Sequence, residues 1–138
     1  MAGPADINGV SRTILVIEDD PSITMGLELN LRAEGFHVIL AHDGQEGLVQ
    51  ARQDGIDLVI LDNWLPDLDG IELCRLIRAT DRQTPIIFYS AAGMGSEDRE
   101  ALSSGANAFI SKGSGLGSLR QAMADELKKT NNKPPKNP

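Results

Sequence analysis

Five short apolar runs, each closing in polar or glycine-rich sequence, limit what this chain can become. Ile14-Leu15-Val16-Ile17 is followed by Glu18-Asp19-Asp20, Leu58-Val59-Ile60-Leu61 by Asp62, and Ala108-Phe109-Ile110-Ser111 by Lys112. Near-continuous apolar composition suits strands buried on both faces, as in parallel sheets. In such a sheet all these charges gather at the carboxyl edge, where open α/β folds bind their ligands. Clustered carboxylates with one lysine at that edge point to a magnesium site beside an aspartate that can be phosphorylated.

Between Thr13 and Lys129 a strand and helix alternate about five times, which predicts a parallel sheet with helices on both faces. Strands are expected near 13–17, 36–40, 57–61, 85–89 and 107–111. Asp20-Pro21 reads as an N-cap followed by the first helical residue, because proline lacks the N–H left unpaired there. Asp43-Gly44-Gln45-Glu46 and Asp69-Gly70-Ile71-Glu72 resemble capping boxes. The stripes Ile23/Leu27/Leu31, Leu73/Leu76/Ile77 and Leu116/Leu119/Met123/Leu127 are expected in the core. The helix after Ser96 is the weakest, with Ala101 and Leu102 as its apolar anchors and Gly93-Met94-Gly95 as a flexible loop before it.

At 138 residues the chain has the length of one domain with a single core. It has no membrane-spanning run and no signal-peptide order at its start, so a cytoplasmic protein is expected. One cysteine, Cys74, with only His37 and His42 beside it, permits neither an internal disulfide nor a plausible zinc set. A net charge of −7 argues against unaided nucleic-acid binding. Residues 1–12 are expected to be a flexible segment, 13–129 the folded domain, and 130–138, with its lysines and Pro134-Pro135, a disordered basic tail.

The chemistry rests on Glu18, Asp19 and Asp62 meeting at adjacent strand ends. Two carboxylates ~4 Å apart repel by about 4 kcal/mol at an effective dielectric of 20, so either one holds a proton or a cation sits among them. Oxygen ligands without histidine or cysteine favour magnesium over zinc. Asp62, at a strand tip, can act as a nucleophile toward phosphorus and form an acyl phosphate. Lys112 can supply the positive charge opposite the phosphoryl oxygens.

Together these motifs make the chain resemble the receiver domains of bacterial two-component response regulators. Ile14 to Ser22, Leu58 to Leu73, Pro85 to Ala91 and Gly105 to Lys112 carry the likeness, which covers about Thr13 to Lys129. The resemblance implies a flavodoxin-like (βα)5 fold with strand order 2-1-3-4-5. It implies that Asp62 is the phosphoacceptor and that Asp19, Asp62 and the backbone carbonyl of Trp64 bind Mg2+ directly, with Glu18 acting chiefly through water. Ser90 matches the hydroxyl that turns toward the phosphoryl group, and Phe109 the aromatic that follows it. A histidine kinase or histidine phosphotransfer protein is the implied donor. A downstream protein target would read the surface of the fourth helix, fifth strand and fifth helix. Beyond catalysing its own phosphorylation and slow dephosphorylation, no enzyme activity is implied. The chain is expected either to stand alone or to be the receiver part of a longer protein.

Two departures from the family pattern bear on the site. Gly113 replaces the proline that usually follows the lysine through a cis bond, which predicts a trans Lys112-Gly113 bond. Trp64 and Ala92 occupy positions where the family tunes water access. A small phosphohydrolase with an aspartyl intermediate is the rival enzyme reading, but such enzymes commonly carry a second acid where Trp64 stands. A phosphorylation-independent interaction module is the third reading. The glycine run 113–117 lacks the spacing of a nucleotide-binding loop.

Overall fold

The computed structural model describes residues 6–7, 10–91 and 96–130. Five parallel strands form the central sheet: β1 Thr13–Ile17, β2 His37–Ala41, β3 Leu58–Leu61, β4 Ile86–Ser90 and β5 Ala108–Ser111. Their order is β2-β1-β3-β4-β5, as the resemblance implies. Four of the five begin one residue later than the sequence suggests, after Phe36, Asp57, Pro85 and Asn107. The helices are α1 Pro21–Ala33, α2 Gly44–Ala51, α3 Gly70–Arg78, α4 Ser96–Ser103 and α5 Leu116–Thr130. A small antiparallel pair, Asp6–Ile7 with Val10–Ser11, precedes the sheet within the segment expected to be flexible. Residues 1–5 and 8–9 of that segment, Ala92, the Gly93-Met94-Gly95 loop and the tail from Asn131 lie outside the described residues.

Side chains of each strand alternate between two apolar layers. Ile14, Val16, Leu58, Ile60, Ile87 and Tyr89 pack against Leu27 and Leu31 of α1 and Leu119, Met123 and Leu127 of α5. Leu15, Ile17, Val59, Leu61, Ile86 and Phe88 pack against α2, α3 and Ala101 of α4. Two of the expected core residues lie elsewhere. Leu76 is 36% exposed: at ~100° per residue it falls about 60° outside the arc Leu73, Ile77, Cys74, Ile71 that α3 buries. Leu102 is 48% exposed, which leaves α4 anchored by Ala101.

The helix starts follow the sequence. Asp20 accepts from the Ser22 N–H at 2.9 Å, Asp43 from the Glu46 N–H at 2.8 Å and Asp69 from the Ile71 N–H at 2.7 Å. Glu46 reaches back to the His42 N–H at 2.6 Å, one residue earlier than a capping box requires. A further cap comes from a distance: Asp67 accepts from the N–H groups of Gly44, at 2.7 Å, and Gln45, at 3.0 Å, and so fastens the β3–α3 loop to α2.

Candidate functional site at the carboxyl edge

Strand register brings the charged residues together. Ile17 pairs with Leu61, so Glu18 and Asp62, each the next residue, emerge side by side; Ser90 pairs with Ser111, which sets Lys112 at the same edge. The backbone continues the alignment past the strands, with the Asp62 N–H donating to Ile17 O and the Glu18 N–H to Ala41 O, both at 3.0 Å. Carboxylate oxygens of Glu18, Asp19 and Asp62 lie within 4.8 Å of one another. Glu18 and Asp62 are buried and Asp19 is exposed, so the cluster opens to solvent on one side.

Lys112 closes it. Its Nζ donates to Glu18 Oε1 at 2.6 Å and stands 3.7 Å from Asp62 Oδ1. Burial pushes the Glu18 carboxyl above its ordinary value, outweighing the hydrogen bonds from Lys112 and the Asp20 N–H. Burial alone would depress the Lys112 ammonium, but its bond to Glu18 and the charge of Asp62 overcome that and hold it above its ordinary range. The lysine is therefore a fixed cation. Three carboxylates against one ammonium leave two negative charges, an all-oxygen donor set that fits a hard divalent ion such as Mg2+.

The loop carrying Asp62 is held from below. Gly70, the first residue of α3, donates its N–H to Asn63 O at 2.9 Å. A Cβ at Gly70 would lie 2.6 Å from the Asp62 carbonyl oxygen and 2.7 Å from Asn63 Cα, so only glycine permits this approach. Trp64 bridges to Asp69 across the same loop, and its indole is 62% exposed.

The remaining sequence-singled residues surround this centre. Ser90 is fully buried at the end of β4, and its Oγ has no hydrogen-bond partner. Phe109 is half-buried and stacks on Phe88, with ring centroids 6.1 Å apart and planes 14° from parallel. After Lys112 the chain makes a 3-10 turn, Lys112–Ser114, ending at Gly115 with φ +90°, and no cis peptide bond occurs among the described residues. The trans Lys112-Gly113 bond agrees with the expectation.

Sequence reasoning missed two features nearby. Asn63, next to Asp62, donates from Nδ2 to Glu97 Oε2 of α4 at 3.3 Å. Arg78 binds Gly105 O, Asp81 O, Thr84 O and Asn107 Oδ1 at 2.7–3.0 Å, tying the end of α3 to the loops that precede β4 and β5.

The family model of the response regulator receiver domain matches residues 14–124, nearly all of the folded region. The chain belongs to the response regulator receiver family. Proteins similar to it include the uncharacterized transcriptional regulatory protein YkoG of Bacillus subtilis, 41% identical over 99 residues that make up 72% of this chain and 43% of that one. The receiver domain of the sensor histidine kinase PA1611 of Pseudomonas aeruginosa, solved with a magnesium ion coordinated in its active-site cleft, superposes with a TM-score of 0.79 at 29% identity, covering 86% of this chain and 99% of that one. The Borrelia burgdorferi CheX-CheY-BeF3-Mg2+ complex gives 0.83 at 28% identity, covering 90% of this chain and 97% of that one. The chain spans about half or less of the length of the curated relatives it matches. As a receiver domain it carries the family's acidic cluster, and no helix among the described residues is long and apolar enough to cross a membrane.

Proposed function

We propose that Asp62 accepts a phosphoryl group from a phosphohistidine donor, and that the chain signals by changing its surface. One observation carries the reading: at the carboxyl edge Lys112 Nζ contacts Glu18 and Asp62 together, beside an acidic cluster sized for one cation. Asp19, Asp62 and the Trp64 carbonyl would hold Mg2+ directly, and Glu18 chiefly through water. The bound ion would supply charge neutralisation for the carboxylates and the phosphoryl oxygens.

In the transfer, a carboxylate oxygen of Asp62 forms a bond to phosphorus. The P–N bond to the donor imidazole breaks, and its electron pair stays on that nitrogen, which takes up a proton. Lys112 offsets the charge on the phosphoryl oxygens, while the strand-end position of Asp62 leaves a line of approach opposite the leaving group. The buried, unpartnered Ser90 hydroxyl can donate to a phosphoryl oxygen by a rotamer change. Phe109 would move with it, altering the face formed by α4, β5 and α5.

A histidine kinase or histidine phosphotransfer protein is the upstream partner, and a protein the downstream one. The net charge of −7 argues against direct DNA contact by this domain; in relatives described as transcriptional regulatory proteins that contact would fall to the part this chain does not match. Incubation with Mg2+ and acetyl phosphate should add the mass of one phosphoryl group to the parent and none to Asp62→Ala. Equal modification of both proteins would refute the assignment.

A further inference from the structure

We infer that the Asn63–Glu97 hydrogen bond is a second connection between the acceptor and α4, separate from Ser90 and Phe109, and that it is released by added negative charge on Asp62. The inference rests on the reading of Asp62 as phosphoacceptor and concerns how its state is transmitted.

Asn63 cannot relay by moving its backbone. Gly70 donates to its carbonyl and packs against its Cα, which leaves no room for a shift toward α3. Its side chain, by contrast, is half satisfied: Nδ2 reaches Glu97 Oε2 at 3.3 Å, beyond the common range for N–H···O bonds, while the buried Oδ1 has no partner. A buried amide held by one long bond is a poor structural choice, and an apolar residue would fill the place at less cost. What Asn63 does provide is a tie between the residue after Asp62 and the first turn of α4.

That tie acts on a loosely held element. Ala101 is the buried apolar side chain of α4, and Leu102 faces solvent. Two unsatisfied polar atoms belong to this end, since Asp98 Oδ1 of the first turn and Oδ1 of Asn63, which is bonded to Glu97, are both buried without a hydrogen-bond partner. Another arrangement of this end can satisfy more of them. Glu97 gives the contact a sign. An acyl phosphate carries about one more negative charge than the carboxylate it replaces, and the Glu97 carboxylate is bonded to the very next residue. Repulsion between partly buried charges at such range is little screened by salt. Charging Asp62 therefore drives Glu97, and the α4 turn that bears it, away from Asn63.

Trp64 is the only tryptophan of the chain and lies two residues past Asp62, so its fluorescence reports occupancy of the site independently. The test is NMR of the 15N-labelled full chain at constant, saturating Mg2+, titrated with beryllofluoride as a stand-in for the phosphoryl group, so that the added charge at Asp62 is the only change. Expected are a shifted Asn63 side-chain amide and exchange of that amide and the 97–103 backbone amides at least about tenfold faster. Glu97→Gln keeps an acceptor oxygen without the charge, and there beryllofluoride should leave the Asn63 amide in place. If Trp64 responds while the Asn63 amide does not, the inference falls and the acceptor assignment stands. A Glu97→Gln protein that behaves like the parent overturns the charge argument. If neither Trp64 nor the Asn63 amide responds, the acceptor assignment fails, and the inference with it.

Discussion

Gly70→Ala sets two effects of known size against each other. Alanine gains up to ~1 kcal/mol over glycine in a helix. Its Cβ, however, would stand 2.6 Å from Asp62 O, 2.7 Å from Asn63 Cα and 3.2 Å from Asn63 O. Ordinary carbon contacts begin near 3.5 Å, so about 0.8 Å of movement is needed, and all three of these neighbours are backbone with no rotamer to yield. The loop is also fixed on its far side, where the Asp62 N–H donates to Ile17 O at 3.0 Å. Overpacking of this kind costs about 1–3 kcal/mol. The steric term wins, for a net loss of ~1–2 kcal/mol and a melting temperature lowered by roughly 4–8 °C. Displacing Asp62 by most of an ångström should also slow the proposed phosphoryl uptake by about 10–100-fold. Circular-dichroism melts and intact-mass time courses measure the two. Gly26→Ala is the control: in mid-α1, with nothing within 4 Å of the added methyl, it should stabilise by about 0.5–1 kcal/mol. A Gly70→Ala protein that melts at or above the parent and takes up phosphate at the parent rate would refute the steric reasoning.

Three further outcomes are expected. Lys112→Ala leaves the buried Glu18 carboxylate without its partner, which should cost about 3 kcal/mol in urea unfolding and be partly recovered by Mg2+; a loss below ~0.5 kcal/mol would show that the pair does not hold the site together. Asp67 is held below its ordinary value near 3.8 by the Gly44 N–H, despite partial desolvation, with the Gln45 N–H adding to the effect. Its contribution is therefore present above that value and lost as pH falls through the lower folded one, so the melting difference between parent and Asp67→Ala should shrink on acidification, and a constant difference would contradict the trans cap. Trp64→Asn removes an exposed indole two residues past Asp62 and should release a phosphoryl group held there several-fold faster, as followed by mass decay. A rate equal to the parent's would remove the shielding role.

The residues that declared themselves in sequence did so through local chemistry. A charge directly after an apolar run can lie nowhere but a strand tip, so Glu18, Asp62 and Lys112 needed only the strand order to meet. Asp20, Asp43 and Asp69 act within three residues of themselves, and their capping was equally legible. Asp67 was not, because its partners are 22 and 23 residues away and only the packed loop presents them. The same holds for Asn63 with Glu97, 34 residues apart, and for Arg78, whose acceptors come from separate loops. Leu76 and Leu102 misled for another reason: hydrophobicity assigns a residue to the core, but the buried arc of a helix is set by the width of what it packs against.

The central claim is that one carboxylate among several carries the phosphoryl group. Borohydride reduces an acyl phosphate to the alcohol, so treating the phosphorylated protein and sequencing its peptides by mass spectrometry locates the acceptor directly. Homoserine at position 62 alone is the predicted result. Homoserine at position 19, or an unreduced phosphate on serine or threonine, would contradict it.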